Sequence, residues 1–416
     1  MEAERFPLFV IKSCSRLLKA TDLLFFIILL VGPIGSMWID RETGEGRFLT
    51  TLLMIFSLCS VVFWKRYYYK WSWALALYLL SWCIGLAVDL AVGRYGNRVE
   101  ILVNARQMLV CFVYMIVAYN MTLRDSRNIK RFLWVITIAA IITAFFLCMG
   151  IGTAESTERG IGGVRYKVFG QNENGTSRML AHALLFVFLV AIAGIRASGI
   201  LKMICFVAIP ICLLGMLRCA SRGGVVFLAA SFPFCLFTAK EGMKKLAYMV
   251  LIAVAMCGLV IGVLSSDMLR DRFIKTIYDR DTGSREFIFY SCLDMFKKHP
   301  ICGYGLNNHR IELGSYQGIS YRATHCTYTY PLVAMGVAGS IPYFIFMTII
   351  LLCGWRIRQY QYGNYLFMAI IFSFLSGVSG NLEYARWMFV FFGVAQAAER
   401  HMIMTKRYAQ NDIMRI

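Results

Sequence analysis

Between Arg285 and Gly339 the chain leaves its apolar runs and carries His325 in the string RATHCTYTYP, just before an apolar run that starts near Leu332. An imidazole with an unperturbed pKa of about 6.5 is the default general base for a hydroxyl nucleophile. His299 and His309 share the polar segment and compete for that role, whereas His182 falls within an apolar run and His401 in the C-terminal tail. Arginines supply the second ingredient. Arg285 opens a helical stretch, and Arg222 stands in the corner CASRGG at the start of an apolar run. Each guanidinium is thereby placed beside the unpaired N–H groups of a helix N-terminus, a natural seat for phosphate or diphosphate. Plainer uses exist: Arg222 could snorkel to headgroups, and Arg285 could pair with Asp281 or Glu286. Arg218 is the better headgroup anchor, while Arg270, Arg272, Arg310 and Arg322 enlarge the positive field. Asn104, Arg106 and Gln107 lie within a span near its outer end, where polar groups face a cavity or a partner helix, and Arg106 extends the basic pocket.

Metal and nucleotide chemistry lack their usual signatures, since the chain has no HExxH, no CxxC and no P-loop. The triplets Asp279-Arg280-Asp281 and Asp40-Arg41-Glu42 each place an arginine between two acids, which opposes cation binding. No metal site and no cofactor are expected. Glu383 and Arg386 read as an i,i+3 pair on the last span.

The elements that position these groups are set by composition. The chain has 416 residues, 59% hydrophobic and 16% charged, with a mean hydropathy of +0.63, which excludes an ordinary soluble domain. Runs of roughly 20 apolar residues match the hydrocarbon thickness of a bilayer. The expected fold class is all-α, a polytopic membrane protein with about twelve transmembrane helices. The expected spans are Leu23–Ile39, Phe48–Trp64, Ser72–Val92, Glu100–Met121, Phe132–Gly152, Met179–Ile195, Gly199–Leu217, Gly223–Ala239, Leu246–Ser265, Leu332–Cys353, Asn364–Asn381 and Glu383–Ala398. One membrane domain covers 1–416, with no internal repeat, no linker and no cleavable signal.

The formal charge of +20 belongs to the loops, because ionised groups are costly in hydrocarbon. KRYYYK, TLRDSRNIKR, AKEGMKK and WRIRQY fall on one face and most acidic residues on the other, so the positive-inside rule makes both termini cytoplasmic. No nucleic-acid partner is expected. The loop of about 60 residues from Ser266 to Cys326 is too long for a plain connection. Within it SREFIFYSCLDMFKKH predicts an amphipathic helix with Phe287, Ile288, Tyr290, Leu293 and Phe296 on one stripe, Ser284 as N-cap and Pro300 as stop. Fourteen cysteines lie mostly in apolar runs and behave as small hydrophobes; a bridge between Cys302 and Cys326 is left open.

Four motifs now stand in order: GQNENGTSRML with Asn172 and Asn174; Ser221-Arg222-Gly223; the helix led by Arg285 with Pro300, Gly303 and Gly305; and His325 followed by Gly336 and Gly339. In this order the chain resembles the bacterial O-antigen ligase and polysaccharide polymerase superfamily, polytopic, GT-C-like glycosyltransferases. The resemblance implies a donor glycan on undecaprenyl diphosphate, with Arg222 and Arg285 binding the diphosphate and His325 activating an acceptor hydroxyl for inverting, metal-independent transfer. Asn172 and Asn174 of its motif, with Arg218, Arg322 and Arg106 of the basic field, are the expected contacts to the donor and glycan. The acceptor is lipid A core for a ligase, or a second lipid-linked repeat unit for a polymerase. The implied location is the bacterial inner membrane, amid membrane lipids, with the active site and long loop on the periplasmic face. Cys326 stands where the family usually has Asn, Ser or Gln. A transporter or flippase of a lipid-linked anion is the reading from another class, and it would require internal repeats and charge at mid-membrane.

Overall fold

The computed structural model describes residues 22–30, 72–92, 98–156, 164–168, 172–191, 197–238, 242–279, 284–360, 362–382 and 385–413, and the statements below concern these. After a helical stretch at 22–30 come α1 (Trp73–Val92), α2 (Arg98–Arg124), α3 (Arg127–Met149), α4 (Glu173–Ala191), α5 (Gly199–Arg218) and α6 (Arg222–Ser231), which tightens into a 3-10 helix at Phe232–Thr238. Then follow α7 (Gly242–Leu264), α8 (Asp267–Tyr278), α9 (Arg285–Lys298), α10 (Asn308–Ser315), α11 (Thr329–Ile357), α12 (Gly363–Gly377) and α13 (Arg386–Ile413). Each expected span from Ser72 onward overlaps a helix, in whole or in part, within the described residues. The span expected at Leu23–Ile39 is described only as far as Leu30, and Phe48–Trp64 lies outside the described residues.

Among the described residues, six helices are long and apolar enough to cross a membrane by length and composition: Trp73–Ala91, Arg127–Met149, Glu173–Ala191, Gly199–Arg218, Lys245–Leu264 and Thr329–Ile357. This is an all-α membrane protein. Met108–Arg124, Arg222–Thr238 and Gly363–Gly377 are apolar but shorter. The α6 stretch loses regular α geometry next to Pro233, which lacks an N–H and crowds the preceding turn. One departure from an all-helical chain is a hairpin, β1 (Thr153–Ser156) antiparallel to β2 (Arg165–Val168), between α3 and α4.

Helix pairs α1 with α11, α2 with α13, and α4 with α5 form the main packing. Tyr78 of α1 meets Tyr343 and Phe346 of α11 and Phe389 of α13, joining three helices through one aromatic cluster. In contrast, α7 leaves Met249, Val250, Val254 and Ile261 exposed, the pattern of a helix whose neighbour is lipid rather than protein.

The long loop is held by a break in α11. Gly336 sits at φ 58° and ψ −164°, inside an otherwise helical run, a conformation open in practice only to glycine. A broken helix leaves backbone groups without partners, and the segment after α9 supplies them. Val337 N donates to Pro300 O (2.8 Å) and Ala338 N to Ile301 O (3.0 Å), while Tyr304 N and Gly305 N donate to Val333 O (2.9 Å) and Ala334 O (2.8 Å). A Cβ on Gly336 would stand 2.3 Å from Ile301 O. Asp89 of α1 completes the junction by accepting from Asn307 N at 2.9 Å and Asn308 N at 3.3 Å, which caps α10.

Helix α9 forms where the sequence places it and ends before Pro300, but its buried face differs from the expected stripe. Ile288, Ser291, Cys292 and Met295 are buried, packed with Leu313 and Val333, whereas Phe287, Phe289 and Tyr290 are exposed. The i, i+3, i+4, i+7 spacing of 288, 291, 292 and 295 selects this face once α11 lies beneath it. Ser284 precedes the helix in a left-handed conformation and makes no side-chain capping bond.

Candidate functional site

His325 lies in a short coil between α10 and α11 with φ 50°, a left-handed conformation that costs a non-glycine residue about 1–2 kcal/mol. Its neighbours on either side explain why it stays there. Thr324 Oγ1 donates to Asn381 Oδ1 (3.1 Å). Thr327 N donates to Gly377 O (2.8 Å), and Thr327 Oγ1 donates to Gly380 O (2.8 Å) while accepting from Leu382 N (2.9 Å). Tyr328 adds a hydroxyl bond to Phe374 O at 2.6 Å. The coil is thus pinned to the turn that ends α12, and the imidazole is left exposed in a pocket of about 220 Å³ with Arg285, Phe289, Thr324, Cys326, Tyr328, Thr329 and Val378.

Four helices, α4, α6, α9 and α11, begin around this turn and coil, which brings the positive ends of their dipoles to one region. The arginines converge there too. Loss of solvent pushes His325 down to about 4, helped in order by Arg322, Arg285, Arg178 and Arg310. Arg285 itself is pushed below its ordinary value by loss of solvent and then by Arg222. Its guanidinium has no hydrogen bond or ion pair among the described residues. At neutral pH the site therefore presents a neutral imidazole beside strong cations.

Arg222, at the first position of α6, is already engaged: its Nη1 donates to Arg272 O at 3.0 Å and to the Thr276 hydroxyl, both on α8. Arg272 in turn donates to Ala220 O. The corner and α8 are clamped together with Arg222 between them, close enough to Arg285 to act on its charge. Asn172 and Asn174 stand close by but use their side-chain oxygens on protein. Asn172 Oδ1 accepts from Asn174 N (2.9 Å) at the start of α4, and Asn174 Oδ1 accepts from Ser221 Oγ (2.9 Å). The first two sequence motifs are therefore one contact in space. Arg218 lies apart, donating to Leu147 O (2.9 Å) with its guanidinium 5.4 Å from the Tyr166 ring centre. The side chains of Asn104, Arg106 and Gln107 lie outside the described residues, as do Asp40, Arg41, Glu42, Arg280, Asp281 and Glu383.

Arg178 was not singled out by sequence reasoning. It is 8% exposed, and Nη2 donates to Ser379 O at 2.9 Å, tying α4 to the same turn that holds Thr324 and Thr327. A span that opens with an arginine inside an asparagine-rich motif is the only signal it left. The competing histidines are accounted for. His309 is buried, with Nδ1 2.8 Å from Gly305 O, and burial pushes it to about 3, so it is a neutral structural donor. His299 packs on Tyr304, and His182 is enclosed by Phe372, Trp387 and Phe391. Cys302 and Cys326 are both free thiols, which closes the question of a bridge between them.

Fold and site together define a helical membrane protein with a cationic, histidine-bearing pocket where several of its helices begin. Residues 204–344 match the family model described as O-antigen ligase, which supports the O-antigen ligase-like superfamily for this chain. That family is one of glycosyltransferase-like membrane enzymes of ligase or polymerase type. The matched region runs from α5 into α11 and contains Arg222, Arg285, His325 and Gly336. Comparison with curated proteins gives no match.

Proposed function

We propose that the protein is an inverting glycosyltransferase that moves a glycan from an undecaprenyl-diphosphate carrier to an acceptor hydroxyl, as an O-antigen ligase whose acceptor is lipid A core; the polymerase alternative uses a second lipid-linked repeat unit. The observation that carries this reading is the pairing of a neutral, exposed His325 with the unpaired Arg285 in one pocket, inside the region that matches the ligase family. His325 takes the proton of the acceptor hydroxyl as its oxygen attacks the anomeric carbon. The bond from that carbon to the diphosphate oxygen breaks, and undecaprenyl diphosphate departs with the electron pair. Arg285 is free to meet the departing charge, and Arg222 stands next to it at a helix N-terminus. The diphosphate also tunes the base: its negative charge offsets the arginines that depress His325, so imidazole becomes a better proton acceptor once the donor is bound.

The reading carries with it about twelve spans, an inner-membrane location with cytoplasmic termini, a periplasmic site and no metal requirement. It is tested by transfer in vitro with purified protein, a defined lipid-linked donor and each candidate acceptor. His325→Ala should retain donor binding and lose turnover, and Arg285→Ala should lose donor affinity. Full activity in both variants would remove the mechanism. Transfer to core but not to a lipid-linked repeat selects the ligase, and the reverse selects the polymerase. EDTA should leave the rate unchanged.

A further inference from the structure

The proposed diphosphate engages Arg285 and Arg222, and the arginines of α10 and of the coil before His325 are left without a role in it. Resting on the transferase reading above, we propose that Arg322, with Tyr321 and Arg310, forms an acceptor subsite for a glycan that bears a carboxylate or phosphate group near its attacking hydroxyl.

The geometry separates this group from the donor pocket. Arg285 and His325 line that pocket and Arg322 does not. Arg322 lies three residues upstream of His325 in the coil that leads into α11. Arg322, Arg285, Arg178 and Arg310 all act electrostatically on His325, Arg322 most strongly among them, so an anion held by Arg322 lies within reach of the base.

The subsite is rigid before any ligand arrives. Arg322 N donates to Arg310 O at 2.9 Å, fixing the coil to α10, and α10 is capped by the buried Asp89. The Arg310 guanidinium stacks on the Tyr321 ring at 5.4 Å and donates to its hydroxyl. Tyr321 is 43% exposed, which leaves aromatic surface for a pyranose ring. Arg322 is half-buried, its Nε–H is shielded from solvent without an acceptor, and its side chain has no ion pair among the described residues. A half-buried guanidinium with a shielded, unbonded Nε–H and no counter-charge among the described residues is completed by an anionic oxygen. A neutral glycan would leave that group as it stands.

The full chain in nanodiscs is titrated with three oligosaccharides that differ at one sugar: a glucuronate, a phosphorylated glucose and a plain glucose. One or both anionic glycans should bind at least about ten-fold tighter than the neutral one. Arg322→Gln should erase that difference, Arg322→Lys should restore part of it, and affinity for undecaprenyl diphosphate should shift by less than about two-fold. Which anionic glycan wins distinguishes carboxylate from phosphate. Equal affinity for all three glycans overturns the proposal, and so does an Arg322→Gln variant that weakens undecaprenyl diphosphate as much as the glycan. Absence of transfer to every acceptor would remove the transferase reading separately, because glycan binding is measured without turnover.

Discussion

At the scale of single residues, His325 is unusual in being accessible and yet strongly discouraged from taking a proton. A base depressed to about 4 stays neutral across the physiological range, so the acid limb of kcat/KM, which reports free enzyme, should fall near pH 4 rather than near 6.5. Under saturating donor the limb of kcat should move to higher pH, because the diphosphate offsets the arginines. An acid limb near 6.5 in both profiles would show that the surrounding cations do not control this imidazole. The same shift has a stability consequence. The unfolded chain binds the proton at about 6.5 and the folded chain only near 4, so acidification through that window weakens the fold. Arg178→Gln removes one of the depressing charges and the anchor to Ser379. It should lower kcat/KM by about 10- to 100-fold and carry the acid limb upward, which pH–rate profiles of the variant would read directly. His325 and Arg285 were legible in the sequence because each is a polar residue in a long polar segment. Arg178 was not, because an arginine opening a span is by type a headgroup anchor. Its role depends on a turn two hundred positions away in the chain.

At the scale of elements, the decisive feature is the interruption of α11 at Gly336 and its repair by residues 300–305. Gly336→Ala places a methyl group 2.3 Å from Ile301 O in a backbone region closed to alanine. It should destabilise the protein by about 2–4 kcal/mol and release the long loop. The measurements are thermal unfolding in detergent and limited proteolysis, with new cleavage expected between 299 and 326. A gentler probe is Thr327→Val, which leaves Gly380 O and Leu382 N without the threonine hydroxyl, a loss of about 1–3 kcal/mol. Its expected signature is a fall in kcat with donor KM little changed, since the coil carrying His325 loosens while Arg285 stays in place. The glycine spacing after His325 was readable as a motif, but the reason for it was not. Period and propensity describe one segment at a time, and Gly336 is required by backbone donated from another. The stripe of α9 was misassigned for the same reason: several apolar faces fit a helix of that composition, and packing on Val333 chose among them.

At the scale of the whole molecule, the helical, membrane-embedded character was the most legible part of the chain, because hydrocarbon thickness imposes a length and an apolarity on its spans. Six of the described helices meet that length and apolarity, and the remaining expected spans fall on shorter, more polar or undescribed stretches. Orientation is a subtler consequence of charge. In the proposed topology Lys and Arg crowd the loops on one face and the site lies on the other, where lipid diphosphates rather than nucleotide sugars would be the donors. Cys302 offers a direct check, since it is exposed within the long loop next to the α11 break, while Cys83 and Cys257 are exposed only along apolar helices. Maleimides need a thiolate in contact with water, so exposure toward lipid does not lead to labelling. A membrane-impermeant maleimide applied to intact spheroplasts should modify the protein at Cys302, read by peptide mapping, and Cys302→Ser should remove that labelled peptide without loss of transfer activity. Labelling of Cys302 only after the membrane is permeabilised would place the loop in the cytoplasm. The positive charge of the site would then face the compartment where the positive-inside rule already puts basic residues, and the argument from lipid-linked donors would lose its footing.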